Sequence, residues 1–282
     1  MNNPYFKIYQ TSDWVFPYHR YGNTGTVHSI FETSLNICVS NQLLHISSSQ
    51  YLSSYGIAVS KENFNTLKAS IRIGDIVVLK AHKIVIYTRR NTFVLDGENS
   101  EIVCLCSHEV SVNQLERKEL LLMVNHVLKR QTIGIENSDR FETVQKILCT
   151  PPIQKQQFED VLNFLIGRGI GLTPSGDDIL LGYHFGIYIL TGVNQLTGNM
   201  HTHFLNTTII SRCYLEAMVN HRVASPVFEL NCAIKVKEKE KIQKALDSVS
   251  QIGHTSGVDF LFGFAMAITF VINKFGGIHD ET

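Results

Sequence analysis

The sequence lacks an excess of charge of either sign, and this absence limits the partners it can attract. Its 282 residues include 25 Lys and Arg and 25 Asp and Glu, so the formal net charge at neutral pH is zero. No net field therefore draws the protein to nucleic acid or to anionic lipid. We expect neither nucleic acid nor a membrane as partner.

The sequence also has little that would carry it out of the cytoplasm. The N-terminal stretch "MNNPYFKIYQTSDW" has no cationic segment followed by an apolar one, so we expect no secretory signal. The apolar run "FLFGFAMAITFVI" (260–272) is shorter than the roughly 20 residues that a membrane span needs, and it reads as a buried helix. Of the six cysteines, only Cys104 and Cys106 are close in sequence, and ordinary thiols explain them. We expect a cytoplasmic protein.

Several well-known catalytic signatures are missing as well. The chain has no G-x-x-x-x-G-K-[ST] phosphate loop, no dinucleotide-binding glycine fingerprint, no G-x-S-x-G elbow, no H-E-x-x-H motif and no paired C-x-x-C. His201 and His203 have the spacing of a strand-borne metal pair, but no third ligand is evident. We therefore do not interpret these histidines as metal ligands, and the sequence gives no support for the common nucleotide-binding and hydrolase classes.

The hydrophobic periodicity divides the chain into two halves. Up to residue 107, short runs rich in β-branched residues are separated by Gly, Asn, Asp or Ser, which predicts an antiparallel β-rich domain, either a sandwich or a partial barrel. Residues 108–282 carry amphipathic and apolar helical patterns. The predicted class is α+β, with the β-rich domain packed on a mostly helical domain that contains two buried central helices.

One motif of the helical half occurs twice. The stretch "GLTPSGDDILLG" (171–182) aligns with "GHTSGVDFLFG" (253–263) if Pro174 is treated as a single insertion. Each copy is followed by a helix that is apolar nearly all round, which is typical of a central helix. Gly182, Gly186 and Gly263 lack side chains at corresponding places and would let the two helices approach closely. We interpret the pair as an internal, pseudo-symmetric repeat of a helix start.

Two hypotheses explain the repeated start. In the first, Ser175 with Asp178, and Ser256 with Asp259, form capping boxes, and each cap stabilises its own helix by about 1 kcal/mol. In the second, two buried helix N-termini converge and present N–H groups and hydroxyls to a phosphate or carboxylate. Asp177 is not needed by the capping box, and it is the first candidate for a general base or for a ligand of a divalent cation.

The anion hypothesis names a set of candidate residues. Asp177 and Asp178 would handle a proton or Mg²⁺, the only cofactor suggested. Arg168 or Arg212 would neutralise charge, and a third polar wall would be formed by Asn206, Thr207, Thr208 and Ser211. The candidates for binding the anion are Arg168, Gly171, Thr173, Ser175, Gly176, Arg212, His254, Thr255, Ser256, Gly257 and Asp259.

Three blocks give the chain a resemblance to a known family. They are "GRGIGLTPSGDDILLG", "NTTIISRCYLEAMVNHRVASPV" and "IGHTSGVDFLFGFAMAI", and they cover roughly residues 165 to 275. In this order and spacing they resemble the family of AllH, a subunit of oxamate carbamoyltransferase from anaerobic allantoin and purine degradation. The β-rich half matches that family only in general character.

The resemblance implies a subunit that acts with two others in the phosphorolysis of oxalurate to oxamate and carbamoyl phosphate. Both products are small anions, which suits paired helix N-termini. In "VASPV" (223–227), Ser225 stands where the family leads us to expect an acidic residue before the proline, so the reaction could differ. Two other classes stay open: a non-catalytic assembly or regulatory subunit, and a stand-alone metal-dependent enzyme acting on a small carboxylate or phosphate.

Overall fold

The computed structural model describes residues 4–48, 50–194 and 203–276, and it contains two compact units. The first unit comprises the described residues up to Cys106 together with Arg222–Ser225. The second comprises Ser107–His221, within its described part, and the described residues from Pro226 onwards. The α+β class predicted from the sequence is confirmed.

The first unit is built on a mixed β-sheet that closes on itself. Its strands are β1 Tyr5–Ser12, β2 Thr24–Ile30, β3 Ser34–Val39, β4 Gln42–Ser47, β5 Gly56–Val59, β6 Ile76–Leu79, β7 Lys83–Tyr87, β8 Thr92–Asp96 and β9 Glu101–Val103, with helix α1 Lys61–Lys68 after β5. The strand order is β5-β4-β3-β2-β6-β7-β8-β1-β9, and β5 also pairs with β1. The β5–β1 pairing joins eight strands into a barrel, and β9 pairs beside it.

The purely antiparallel arrangement expected from the sequence is only partly correct. The β6–β7 and β7–β8 pairs are antiparallel hairpin neighbours, as the short spacing predicts. The strand β1, however, runs parallel to β8 and to β9, and β4 runs parallel to β5. Pairings between β1 and strands some 90 residues later depend on barrel closure, which local periodicity does not encode.

The second unit is helical. Its helices are α2 Gln114–Leu128, α3 Asp139–Cys149, α4 Lys155–Leu165, α5 Ser175–Thr191, α6 Ile209–Val219, α7 Ser225–Val236, α8 Lys239–Ser250 and α9 Ser256–Phe275. Helix α7 starts at Ser225, the last residue assigned to the first unit. Short 3-10 turns occur at Asp13–Val15 in the first unit and at Phe204–Asn206 in the second.

Helices α5 and α9 form the centre of the second unit, as predicted. Nearly every residue of α5 and most of α9 are buried, which explains why both sequences are apolar all round. A Cβ atom added at Gly182 would lie 2.7 Å from the carbonyl carbon of Phe260 on α9. One added at Gly263 would lie 2.8 Å from the carbonyl carbon of Ile179 on α5. The two glycines therefore let each helix backbone touch the other.

The length of α9 invites comparison with a membrane span. Ser256–Phe275 is the one described helix long and apolar enough to cross a bilayer, and 67% of its most apolar window is buried inside the protein. A span would face lipid over most of its surface, whereas this helix faces α5, α2 and α3. The structure thus agrees with the buried core helix expected from the sequence.

Candidate functional site

The two copies of the motif start α5 and α9, but neither forms the capping box that its sequence predicts. The N-cap residues are Pro174 and Thr255, and neither side chain caps its helix. Ser175 and Ser256 are instead the first helical residues. The capping-box prediction is therefore wrong.

The side chains of the motif approach each other both within one copy and across the repeat. The hydroxyls of Ser256 and Thr173 lie beside the carboxylate of Asp178. In the reciprocal arrangement, the hydroxyls of Ser175 and Thr255 lie beside Asp259. Each aspartate is therefore approached by the serine of the other copy and by the threonine of its own. The two hydroxyls that serve Asp178 also meet each other, with 2.7 Å between Thr173 Oγ1 and Ser256 Oγ. The convergence of the two helix N-termini is confirmed.

The symmetry extends to the helix that precedes each motif. A Cβ atom at Gly176 would lie 2.8 Å from the carbonyl carbon of Leu165, at the end of α4. A Cβ atom at the equivalent Gly257 would lie 2.9 Å from the carbonyl carbon of Val249, near the end of α8. In both copies, therefore, the first glycine of the helix lies against the C-terminal part of the preceding helix.

Asp177 has no counterpart in the second copy, where Val258 occupies its place, and the structure accounts for both of its carboxylate oxygens. Oδ1 accepts the N–H of Gly167 at 2.9 Å, and Oδ2 accepts the hydroxyls of Ser211, at 2.7 Å, and of Thr207. Burial raises the pKa of Asp177, and these hydrogen bonds oppose the rise. Two residues of the predicted polar wall, Thr207 and Ser211, therefore bond to Asp177, which connects the start of α6 to the loop before α5.

Asp178 and Asp259 differ from Asp177 in carrying an unpartnered oxygen each. Both side chains are more than nine-tenths buried, and Oδ2 of each makes no hydrogen bond within the described residues. Burial raises the pKa of Asp178 well above its usual range, and repulsion from Asp259 and Asp177 raises it further. Burial also raises the pKa of Asp259, against hydrogen bonds from the Gly134 N–H and the two hydroxyls. The site holds two desolvated carboxyl groups of like charge.

Neither candidate arginine neutralises these carboxylates. Arg168 Nε donates to the carbonyl of Phe164 at 2.7 Å, and its guanidinium lies 4.0 Å from the centre of the Phe164 ring. Arg212 Nε lies 3.9 Å from a carboxylate oxygen of Glu216, one turn further along α6. Among the described residues, no ion pair involves Asp177, Asp178 or Asp259.

The backbone donors of the motif are only partly available. The N–H groups of Gly176 and Gly257 already donate to the carbonyls of Arg168 and Ile252, at 2.8 and 3.0 Å. The exposed loop 169–172, by contrast, makes no backbone N–H hydrogen bond within the described part of the chain. This loop includes Gly171, whose φ of +117° suits glycine, while His254 is exposed in the equivalent turn before α9. An anion at this site would therefore find the loop donors and the motif hydroxyls.

Gly134 is a site residue that sequence reasoning missed. Its N–H donates to Asp259 Oδ1 at 2.8 Å, and a Cβ atom there would lie 3.0 Å from Thr255 Oγ1 and still closer to Ser175 Oγ. A cleft of about 740 Å³, lined by residues 132–137 and parts of α3 and α9, borders this glycine. A single glycine in "QTIGIEN" carries no recognisable signal, so only the fold shows that it lies beside the repeat.

Two remaining predictions concern residues outside this cluster. Ser225 Oγ accepts the backbone N–H of Leu52 at 2.9 Å, so the serine found in place of the expected acid bonds to the first unit's own backbone. His203 Nε2 lies 2.9 Å from Glu159, while His201 lies outside the described residues. No cluster of three or more His, Cys, Asp or Glu able to hold a metal ion occurs in the described ranges.

Comparison with known families covers both units. The model of the family described as oxamate carbamoyltransferase subunit AllH matches residues 165–268, which contain both copies of the motif. The AllH family N-terminal domain matches residues 12–102, within the barrel. The chain belongs to the AllH family. The family's description makes its members subunits of an oxamate carbamoyltransferase, which indicates a hetero-oligomeric complex. No solved structure matches the chain.

Proposed function

We propose that this AllH-family chain is a cytoplasmic subunit of an oxamate carbamoyltransferase-type enzyme of purine nitrogen catabolism, and that it binds a small anion where α5 and α9 begin. The observation that carries the proposal is the hydrogen-bonded cluster shared by the two copies of the motif. Oxamate, carbamoyl phosphate and phosphate are the candidate anions, since each is small and accepts several hydrogen bonds.

The donors proposed for such an anion are the N–H groups of the loop before α5, together with motif hydroxyls that turn from the aspartates to the anion when it binds. Thr173, Thr255 and Ser256 are partly exposed, whereas the carboxylates beneath them are buried. The unpaired N–H groups of loop 169–172 lie beside Thr173 in sequence and add further donors. Two helix N-termini contribute partial positive charge at the same place. Stabilisation of charge developing on a transferred carbamoyl group would then be mainly electrostatic.

The binding step is tested by titrating the chain, alone and with its partner subunits, with oxamate, carbamoyl phosphate and phosphate in a calorimeter. Thr173→Val and Ser256→Ala each remove one hydroxyl and should weaken binding about tenfold, since a hydrogen bond to a charged group contributes roughly 1.5–3 kcal/mol. Ser248→Ala, which removes a hydroxyl bonded only to the α8 backbone, is the matched control. The proposal fails if none of the anions binds in any of these assemblies, or if both motif variants bind like the control.

A second candidate function is a non-catalytic assembly role, and one observation favours it. Ile170 is 97% exposed and Leu172 is 52% exposed, both in the loop that leads into α5. Exposed apolar residues in such a loop are suited to contact with another subunit. If Ile170→Asp abolishes complex formation while anion binding by the isolated chain is absent from the start, the assembly role is sufficient.

A further inference from the structure

The buried carboxylates pose an electrostatic problem for any anion bound above them. Asp178 and Asp259 receive no ion pair from a described residue, and each leaves one oxygen without a hydrogen bond. A buried, unpaired carboxylate is costly, and it is normally neutralised by a proton or by a cation. An anion placed beside two such groups would be repelled unless that neutralisation occurs.

The surrounding atoms favour a cation over a shared proton. The two carboxylates are surrounded by the hydroxyl oxygens of Thr173, Ser256, Ser175 and Thr255. Neutral nitrogen and sulfur ligands are missing from this set, and no described cluster of three or more His, Cys, Asp or Glu could hold a metal by itself. Mg²⁺ typically takes one or two carboxylates and completes its octahedron with waters and substrate oxygens. An all-oxygen site with two carboxylates fits that preference.

We infer that Asp178 and Asp259 together hold one divalent cation, of the Mg²⁺ class, through their unpartnered Oδ2 atoms, and that the cation bridges the chain to the anion. The inference rests on the proposed function for the identity of the anion, but the cation site itself depends only on the two carboxylates. Asp178 and Asp259 are equivalent residues of the two repeats, so each copy of the motif contributes one ligand. Loss of one ligand leaves the cation with a single carboxylate.

Asp177 has no place in this cation site. Both of its oxygens are occupied by donors of the chain itself, from Gly167, Thr207 and Ser211. It contributes charge to the surroundings of Asp178 without offering a free oxygen. The acid that stands out in the sequence, because the capping box does not need it, thus positions the loop and α6 rather than the cation.

The direct test uses Mn²⁺ as a probe of the full chain after removal of metals by chelation. Binding is followed by loss of the free Mn²⁺ electron paramagnetic resonance signal, with Mg²⁺ as competitor. We expect one site per chain, weakened about tenfold or more in Asp178→Asn and in Asp259→Asn. Asp247→Asn, which removes an exposed carboxylate from α8, should bind like the natural chain. Two variants on different helices guard against failure of either one to fold.

Thermal unfolding supplies a second readout that does not depend on turnover. The cation should raise the Tm of the natural chain and of Asp247→Asn, but not that of Asp178→Asn or Asp259→Asn. The inference is overturned if the natural chain binds no Mn²⁺ at millimolar concentration, or if both motif variants bind it as the natural chain does. Uptake of a single shared proton without Mn²⁺ binding would likewise overturn it.

Oxamate titrations with and without Mg²⁺ separate this inference from the proposed function. If oxamate binds equally well in both buffers and Mn²⁺ does not bind, the cation inference fails and the anion site stands. If Mn²⁺ binds at the two aspartates but no anion does, the cation site stands and the proposed function fails. Enhancement of oxamate binding by Mg²⁺, lost in Asp178→Asn, supports both.

Discussion

The contact between α5 and α9 yields a stability prediction whose size follows from the structure. Gly182→Ala would place a Cβ atom 2.7 Å from the carbonyl carbon of Phe260, and Gly263→Ala would place one 2.8 Å from that of Ile179. Ordinary carbon–carbon contacts lie at about 3.5–4.0 Å, and the carbonyl oxygens of Phe260 and Ile179 lie nearer still, so the facing backbone must retreat by more than about 1 Å. Because the obstacle is helix backbone in a close-packed core, no side-chain rotation can relieve it.

The expected magnitude combines two opposing terms. Overpacking of this kind costs about 3 kcal/mol, the upper end of the usual range, since backbone must move. Replacing glycine by alanine in a helix returns about 1 kcal/mol of helix propensity. Each variant should therefore lose about 2 kcal/mol of unfolding free energy, which lowers Tm by about 4–8 °C for a unit of this size. The double variant should lose less than the sum, because one separation of the helices relieves both clashes.

The assay is thermal unfolding of the full chain followed by circular dichroism, with Gly276→Ala as matched control. Gly276 ends α9 with an ordinary φ of −77°, and an added Cβ would meet only the flexible end of Gln114, at 3.1 Å. The control should be unchanged or slightly more stable. If Gly182→Ala and Gly263→Ala behave like the control, or if their losses add fully, the close crossing of α5 and α9 described above is incorrect.

Three further predictions concern the polar cluster itself. In metal-free buffer, stability should fall as pH rises above about 4, because Asp178 ionises in the unfolded chain before its raised native pKa is reached. Asp178→Asn should flatten this part of the Tm–pH curve, and an unchanged slope would contradict the prediction. Asp177→Asn should lower the free energy of unfolding in urea by about 2–4 kcal/mol, since an amide cannot accept all three donors now bonded to the carboxylate. A loss equal to that of the surface variant Asp160→Asn would refute the positioning role. Gly134→Ala should displace the Ser175 hydroxyl and weaken oxamate binding severalfold with little change in Tm, and a purely structural effect would show the opposite pattern.

The sequence predicted the second unit best where the signal was local. Apolar residues on all faces predicted that α5 and α9 are central, and the repeated glycines predicted their close approach. The β-rich half was recognised as such because its short runs alternate. Its parallel pairings were not predicted, because β1 pairs with β8 and β9, which lie at the far end of the unit's sequence. Pairings of that kind are decided by closure of the barrel.

The site itself was predicted in composition but not in connectivity. The spacing of Ser175 and Asp178 satisfies the capping-box pattern, and a sequence pattern can only assign partners within one copy. In the folded chain the two helix starts lie against each other, so each serine reaches the aspartate of the other copy. The same limitation concealed Gly134, whose role depends on a loop that approaches the repeat from elsewhere in the chain.

The exchange of serines between the two copies changes how the aspartates should be understood. A capping carboxylate satisfies its own helix and needs no ligand, whereas Asp178 and Asp259 lie beside hydroxyls of both copies and keep one oxygen each unsatisfied. A repeat whose only role was to pack a helix pair would carry apolar residues at this depth. Val258 is such a residue, at the position equivalent to Asp177. Retaining two buried carboxylates without ion pairs at two helix N-termini costs stability, and the proposed cation with its anion would offset that cost. In the proposed function the repeat forms one site from two halves, and the packing of α5 against α9 brings the halves together.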